Sequence, residues 1–198
     1  MKLGEHLRPA ILSVVSLTFL TGCIFPLVLF GLGWWLSPSQ AAGSLVMRNG
    51  LVVGSRLIGQ DFTRPEYFHP RPSAAGTGYD GTASGGTNFG PSNPKLIQSV
   101  ERLASDYRKI NGLPADAIIP IDAVTSSGSG LDPHISPQNA ELQIMRVARV
   151  RGLDEAAVRS LVAAHTEAPQ LGFLGSPRVS VLDLNLALDQ VGDQLTLR

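Results

Sequence analysis

The sequence predicts an α+β protein in which a single N-terminal transmembrane helix precedes one extracytoplasmic α+β domain. Three observations predict this fold class. An uncharged apolar run is long enough to cross a bilayer, an Asn-Gly pair lies between apolar segments as in a β-hairpin, and several amphipathic stretches end in helix-capping residues. The expected division is a cytoplasmic N-terminus (1–9), a membrane helix (10–36) and a periplasmic domain (44–198).

The membrane helix is predicted from charge and length. Residues 9–47 contain no Asp, Glu, Lys or Arg. As a helix, residues 10–36 would extend about 40 Å, which exceeds the roughly 30 Å hydrocarbon core of a bilayer. Lys2 and Arg8 precede the run, whereas the first basic residue after it is Arg48. Because cytoplasmic flanks carry the excess of basic residues, the N-terminus is expected in the cytoplasm and the domain outside it.

Two other interpretations of the apolar run are weaker. Ser39-Gln40-Ala41 resembles a signal-peptide cleavage site, but the run exceeds the roughly 7–15 apolar residues of a signal peptide. Leu20-Thr21-Gly22-Cys23 resembles a bacterial lipobox, but residues 24–36 stay apolar where a lipoprotein would have a polar tether. An uncleaved, unlipidated span is therefore favoured, with a kink expected at Pro26.

Composition and motifs exclude several classes of function. Lys plus Arg and Asp plus Glu number 16 each, so the zero net charge gives no electrostatic footprint for nucleic acid. With one Cys, no intramolecular disulfide can form. The sequence has no P-loop, no dinucleotide-binding glycine motif and no nucleophile elbow, and its four His residues lack metal-ligand spacing.

Beyond the span, the first predicted element is a hairpin over residues 45–53, centred on Asn-Gly, with 58–62 as a candidate extension of the sheet. Residues 70–94 are rich in Gly, Ser, Thr, Asn and Pro, which predicts a long loop. Tyr67, Phe68, Tyr79 and Phe89 favour a loop anchored to the surface, either without special chemistry or as a docking surface for a partner.

The remaining elements are mostly helical. Helices are expected from Asn93-Pro94 to Ile110, over 137–151, and from Asp154 to about His165. Residues 118–121 form a short edge strand at best, because Pro120 cannot donate to a ladder. Residues 179–181 are strand-like, and 182–191 fit either a helix or a strand. The expected buried face of the first helix is Leu96, Ile97, Val100, Leu103, Ala104 and Tyr107.

The least generic run is 124–136, Val-Thr-Ser-Ser-Gly-Ser-Gly-Leu-Asp-Pro-His-Ile-Ser. Its Ser and Gly residues cannot fill a core strand, and Ser136-Pro137 is typical of an N-cap followed by the first helical residue. The run therefore predicts a glycine-rich loop leading into a helix N-terminus, which suits an anion or a partner's carbonyl groups, or else a plain connection. The candidate partner- or nucleotide-contact residues are Ser127, Gly128, Ser129, Gly130, Asp132 and His134.

Several runs together resemble the KdpC family of the Kdp potassium-transporting ATPase over essentially the whole chain. They are Arg8-Pro9, Thr21-Gly22, Pro26, 57–60, 67–73, 78–80, 84–88, Gly90-Pro91, Asn93-Pro94, 124–136 and 184–189. The departures are minor: Ser126 where the family usually has Ala, Ala42 where it usually has Asn, and Ala168-Pro169 in a variable turn.

The resemblance implies a complex in the bacterial inner membrane with two partners, a channel-like potassium-selecting subunit and a P-type ATPase subunit. This chain lacks the Asp-Lys-Thr-Gly-Thr phosphorylation sequence, so a non-catalytic accessory subunit is implied. The family is described as a catalytic chaperone that raises the ATP affinity of the ATPase subunit. No tightly bound cofactor is expected, and ATP would be reached through that subunit.

The charge asymmetry argues against direct ATP contact, because it places run 124–136 on the side of the membrane away from cytoplasmic ATP. We therefore expect residues 127–134 to fix the following helix and to meet a partner subunit, with ATP contact as the alternative. An alternative of another class is a membrane-anchored periplasmic enzyme or solute-binding protein that uses the Ser/Asp/His loop. Its Ser, Asp and His lie too close in sequence for a typical catalytic triad.

Overall fold

The computed structural model describes residues 3–48 and 50–196, with side chains described over 6–48 and 50–192. The predicted α+β class is confirmed over this part of the chain, which holds seven α-helices and five short β-strands. By contacts the chain divides into two compact units, Met1–Val53 and Gly54–Arg198.

The N-terminal unit is dominated by one long apolar helix. Helix α1 (Leu3–Phe19) continues through a π-helical turn (Leu20–Ile24) into α2 (Phe25–Leu36). Residues His6–Leu36 are long and apolar enough to cross a membrane, as the sequence predicts. The change in helix type falls in the turn before Pro26, where proline's missing N–H and its ring disturb regular α-helical hydrogen bonding.

After the long helix come a short helix and the predicted hairpin. Helix α3 spans Pro38–Ala41, and strands β1 (Leu45–Arg48) and β2 (Leu51–Ser55) pair in a two-stranded sheet. The hairpin predicted over 45–53 is therefore confirmed, although Asn49 of its turn lies outside the described residues.

The second unit contains four helices within its described residues: α4 (Pro94–Asn111), α5 (Pro137–Arg151), α6 (Glu155–Ala164) and α7 (Val181–Thr196). The predicted caps of α4 and α5 are confirmed. The Asn93 side chain accepts a bond from the N–H of Lys95, and Ser136 Oγ accepts one from the N–H of Asn139. Asp154 is the N-cap of α6 but makes no side-chain capping bond.

A three-stranded antiparallel sheet packs with these helices. It consists of β3 (His134–Ile135), β4 (Thr166–Glu167) and β5 (Arg178–Ser180), in the order β3-β5-β4. Register places His134 opposite Ser180, and Thr166 opposite Val179. Two of these strands are only two residues long, too short for the alternating pattern that predicts a strand from sequence.

Three sequence expectations need correction or completion. Residues 58–62 form no strand, because the N–H of Gly59 bonds to the carbonyl of Leu131 and the Gln60 side chain turns back to the carbonyl of Ile58. Residues 118–121 also form no strand, and a 3₁₀ turn follows at Ile121–Ala123. The undecided segment 182–191 is helical and belongs to α7.

The core lies between α5, α6, α7 and β5. Its largest fully buried apolar side chains are Phe68, Ile135, Ile144, Val147, Val158, Val179, Leu184 and Leu188. Helix α4 contributes less than its amphipathic pattern predicts. Of its six predicted core residues, five are half-buried, and Ile97 is 50% exposed.

Candidate functional site

The loop over residues 124–136, hereafter the Ser/Gly loop, is closed at its base by one buried carboxylate. Asp122 accepts hydrogen bonds from the Ser136 N–H (2.8 Å), the Ser136 hydroxyl (2.8 Å) and the Asn139 side-chain amide (3.0 Å). The carboxylate therefore sits at the N-terminus of α5, where the helix dipole favours a negative charge. The place that the sequence offers to an external anion is taken by the chain's own Asp122.

The hydroxyls of Ser127 and Ser129 are bonded within the loop itself. Ser129 Oγ accepts from the N–H of Leu131 at 3.1 Å and lies 3.4 Å from Ser127 Oγ. The N–H of Gly130 donates to the carbonyl of Ser127 at 3.2 Å, which closes a tight turn. Among the predicted contact residues, Gly128 and Ser129 are the exposed ones. Their backbone and the Ser129 hydroxyl form the accessible crest of the loop.

The long loop over 70–94 packs directly against the Ser/Gly loop. The Ser73 hydroxyl donates to the carbonyl of Gly130 at 2.6 Å, and the N–H of Gly85 donates to the carbonyl of Ser129 at 2.9 Å. A Cβ added to Gly130 would lie 2.6 Å from the carbonyl oxygen of Gly85 and 2.7 Å from the nitrogen of Ala75. The two Gly- and Ser-rich segments are thus parts of one structure, which explains why both lack bulky side chains where they meet.

Asp132 pairs with both His134 and Arg71. Asp132 Oδ2 accepts from Arg71 Nη1 at 2.9 Å, and its Oδ1 lies 3.0 Å from the His134 N–H and 3.3 Å from His134 Nδ1. Burial alone would raise the pKa of Asp132, but the hydrogen bonds from His134 and Arg71 outweigh it and hold that pKa below its ordinary value. Asp132 is therefore a charged anchor between the two loops.

This geometry does not assemble a hydrolytic triad. The described hydrogen bonds of the Ser127 and Ser129 hydroxyls go to each other and to the loop backbone, and none reaches His134. A nucleophilic serine needs a base within hydrogen-bond reach. Over the residues that the structure describes, no group of three His, Cys, Asp or Glu side chains could hold a metal ion either.

Beneath the loops lies a buried polar layer on α5. The Gln143 amide accepts from the His69 N–H at 2.7 Å and donates to the His69 carbonyl at 3.1 Å. Asn185 of α7 does the same for Phe68, at 2.8 and 3.0 Å. Each of these two side chains makes the pair of backbone hydrogen bonds that a neighbouring strand would otherwise make. The segment before the long loop is therefore fixed in place without belonging to a sheet.

Arg146 lies at the centre of this layer and is 2% exposed. Its guanidinium donates to Asn111 Oδ1 (2.9 Å), Gln143 Oε1 (2.7 Å), the Tyr67 carbonyl (2.9 Å) and the Pro65 carbonyl. Burial lowers its pKa to about 10, so it stays charged at neutral pH. Arg146 thus joins α4, α5 and the segment entering the long loop.

Sequence reasoning missed two residues that define this site, Asp122 and Arg71. Asp122 lies fourteen residues before the serine it contacts, and Arg71 lies sixty-one residues before Asp132. Neither spacing belongs to a local motif. An open hollow of about 430 Å³ borders both, together with Asp132, His134, Ser136, Ser176 and Arg178.

Comparisons with known proteins point to a single family. The family model described as "KdpC: K+-transporting ATPase, c chain" matches residues 7–190. The chain is 53% identical to the potassium-transporting ATPase KdpC subunit of Cereibacter sphaeroides, over 94% of this chain and 98% of the relative. It is 51% identical to the KdpC subunits of Koribacter versatilis, over 93% of this chain and 94% of the relative, and of Mycobacterium tuberculosis, over 94% and 99%.

These matches cover the apolar helix and the domain together, and the geometry of the Ser/Gly loop offers no assembled catalytic group. The resemblance found in the sequence runs is thereby confirmed. The chain belongs to the KdpC family, the c chains of potassium-transporting ATPases.

Proposed function

We propose that this chain stabilises an ATP-driven, high-affinity potassium uptake complex from outside the cytoplasm. In this proposal the N-terminus is cytoplasmic, the long apolar helix crosses the inner membrane once, and the domain from residue 44 onward is periplasmic. The absence of charge over residues 9–47, with Lys2 and Arg8 before it and Arg48 after it, supports that orientation. The partners are a channel-like potassium-selecting subunit and a P-type ATPase subunit.

The observation that carries the proposal is the occupation of the α5 N-terminus by Asp122. Its carboxylate engages the Ser136 N–H, the Ser136 hydroxyl and the Asn139 amide. A nucleotide phosphate would have to displace a buried carboxylate that already accepts three hydrogen bonds and is also negatively charged, which is unfavourable. The Ser/Gly loop is therefore better suited to fix α5 and to offer its crest, Gly128 and Ser129, to a partner subunit.

A catalytic-chaperone role is compatible with this arrangement when it acts through contacts between subunits. If this chain binds more tightly to the conformation of the ATPase subunit that has the higher ATP affinity, it shifts the subunit toward that conformation. The largest possible gain in ATP affinity is set by the difference in this chain's affinity for the two conformations. Direct contact of Ser127–Gly130, Asp132 and His134 with ATP is the alternative. It requires the domain to be in the cytoplasm.

The primary test is deletion of this chain from cells that depend on the complex for potassium. We expect loss of ATP-driven potassium uptake, and we expect tagged full-length chain to co-purify with two larger membrane subunits. Uptake that persists fully without the chain would contradict the proposal.

A matched pair of glycine variants tests the crest of the Ser/Gly loop. A Cβ added at Gly128 or at Gly81 meets nothing within 4 Å, and neither residue has a positive φ. Gly128→Trp should therefore fold yet reduce the recovery of partner subunits, because an indole would cover the crest. Gly81→Trp, on the long loop, is the control and should co-purify as the unmodified chain does. Equal recovery of both variants would rule out a contact at the crest.

A further inference from the structure

The connection between β4 and β5, residues 168–177, carries an exposed apolar tip that the function proposed above does not use. All ten of its residues are uncharged. Leu171 is 83% exposed, Phe173 is 74% exposed and Leu174 is 48% exposed. None of the three belongs to the hydrophobic core. Residues 171–174 are called the apolar tip below.

The apolar tip is closed by hydrogen bonds of its own backbone. The N–H of Gln170 donates to the Leu174 carbonyl at 3.0 Å, and the N–H of Leu174 donates to the Gln170 carbonyl at 2.9 Å. The N–H of Phe173 also donates to the Gln170 carbonyl, at 3.2 Å, and closes a tighter turn between these two residues. At the base, Arg178 forms an ion pair with Glu167 at 2.8 Å. The side chains are thus presented by a closed hairpin.

Leu171 has a strained backbone conformation. Its φ is +55°, in the left-handed region, which is unfavourable for a bulky L-residue. Its side chain gains no burial in return, because it is 83% exposed. Gly or Asn would occupy this position with less strain. A residue that is both strained and exposed is typical of a functional contact.

We infer that Leu171 and Phe173 insert into an apolar pocket on another subunit of the potassium-transporting ATPase. The inference rests on the proposed function, because it takes the other subunits as present beside this chain. Apolar anchors that fill a pocket dominate the energetics of many interfaces, and the backbone hydrogen bonds that close the hairpin limit the entropy lost on binding.

The size of the tip favours a partner in the same membrane over a freely diffusing one. An aromatic side chain buries about 150–250 Å², so the tip covers a few hundred Å², against the roughly 1,000 Å² of a specific free-standing interface. Such a contact is effective when the two proteins are already tethered together, which raises their effective concentration. The apolar helix His6–Leu36 is suited to provide that tether.

The charge of the tip favours a protein pocket over the lipid surface. Segments that lie on membranes combine apolar side chains with free Lys or Arg that attract anionic lipids. Residues 168–177 contain no basic residue, and the neighbouring Arg178 is engaged by Glu167. The tip therefore lacks the electrostatic part of lipid binding.

The test compares Leu171→Asn and Phe173→Ser in the full chain, produced together with the other subunits. Both should lower the recovery of partner subunits in detergent by about tenfold, as expected for hot-spot truncations. Leu171→Asn should at the same time raise the Tm of the chain purified alone by about 2–4 °C, because Asn tolerates the left-handed conformation. If Leu171 had only a structural role, Leu171→Asn would lower the Tm and the recovery of partner subunits together.

Ile118→Asn is the matched control, because Ile118 is 91% exposed and lies elsewhere on the domain. Its recovery of partners should be unchanged, and an equal loss would overturn the assignment to the tip. Unchanged recovery in both tip variants, when the unmodified chain does co-purify, would also overturn the inference. Failure of the unmodified chain to co-purify would instead contradict the proposed function.

Two further measurements test whether the tip contacts lipid or a second copy of the chain instead of a partner subunit. In the full chain reconstituted alone in phosphatidylglycerol vesicles, a cysteine at position 173 should react with a water-soluble maleimide, and its protection by lipid would assign the tip to the membrane surface and overturn the inference. A Phe173→Cys variant in a Cys23→Ser background should form a cross-link to one of the larger subunits of the complex. A cross-link only to a second copy of the chain would overturn the inference as well.

Discussion

The Ser/Gly loop and the apolar tip differ in how their side chains are satisfied. In the loop, Ser129 and Asp132 bond to groups of the same chain, and the Gly130 backbone has no space for a Cβ. Asp122, just before the loop, holds its base. In the tip, the backbone is bonded but the Leu171 and Phe173 side chains lie in solvent. The loop is therefore largely a scaffold with an exposed crest, whereas the tip carries side chains that the described part of the chain leaves uncovered.

This contrast teaches that an unusual sequence and an available surface are different properties. The Ser/Gly loop is the least generic run of the chain because its packing against residues 70–94 demands small residues. The tip lies in the connection between two short strands, and its importance lies in apolar area that the described residues leave exposed. As a c chain, the protein is an accessory subunit, so surfaces of the second kind are expected.

The largest effect should come from adding one methyl group to each region. Gly130 and Gly172 both have positive φ, +70° and +83°, so alanine at either costs about 1–2 kcal/mol of backbone strain. At Gly130 the Cβ also meets backbone at 2.6 Å, which adds roughly 1–3 kcal/mol of overpacking, whereas at Gly172 it meets nothing within 4 Å. Chemical denaturation should therefore rank Gly130→Ala well below Gly172→Ala in stability. Equal losses would show that the two loops do not pack as described.

A smaller loss is expected when the base of the Ser/Gly loop is opened. Asp122→Ala leaves the Ser136 N–H and the Asn139 amide without their acceptor and should cost about 1–3 kcal/mol of unfolding free energy. Gln170→Ala in the connection that carries the tip is the comparison. Gln170 is exposed and bonds through its backbone, so its change should stay within about 0.5 kcal/mol. Similar losses for both would contradict the scaffold role of Asp122.

The smallest effect is a pH dependence of stability that arises from His69, next to the long loop, and not from the connection that carries the apolar tip. Burial and the nearby Arg146 charge lower the pKa of His69 below its ordinary value of 6.5. On acidification the unfolded chain binds the proton first, so stability should fall as pH drops below about 6.5. Residues 168–177 contain no titratable side chain. Melting curves from pH 7.5 to 5.5 should show a shallower decline for His69→Gln than for the unmodified chain, and parallel declines would contradict the assignment.

Much of the fold follows from local patterns in the sequence. The apolar span, the hairpin, and the starts of α4 and α5 were predictable because each depends on neighbouring residues, such as Asn93-Pro94 and Ser136-Pro137. Strands β3 and β4 were not predictable, since two-residue strands exist only through pairing with β5. The partial exposure of α4 was missed because an amphipathic pattern marks an apolar face without showing what covers it.

The position of the candidate site stays a prediction, and its internal bonding could not be predicted from the sequence. Residues 127–134 were recognised by composition, and the structure brings Asp132 and His134 together as sequence neighbours. Asp122 and Arg71 were missed because they reach the loop from distant positions. The apolar tip was missed for a related reason, since Leu171 and Phe173 resemble ordinary core residues until the fold leaves them exposed.

The most direct test of the central claim is the side of the membrane on which the domain lies. In a Cys23→Ser background, Ala163→Cys places a single thiol at an exposed position on α6, and His6→Cys places one before the span. With a membrane-impermeant maleimide on intact cells, Ala163→Cys should be labelled at once and His6→Cys only after permeabilisation. The reverse pattern would place the Ser/Gly loop beside cytoplasmic ATP and contradict a periplasmic domain.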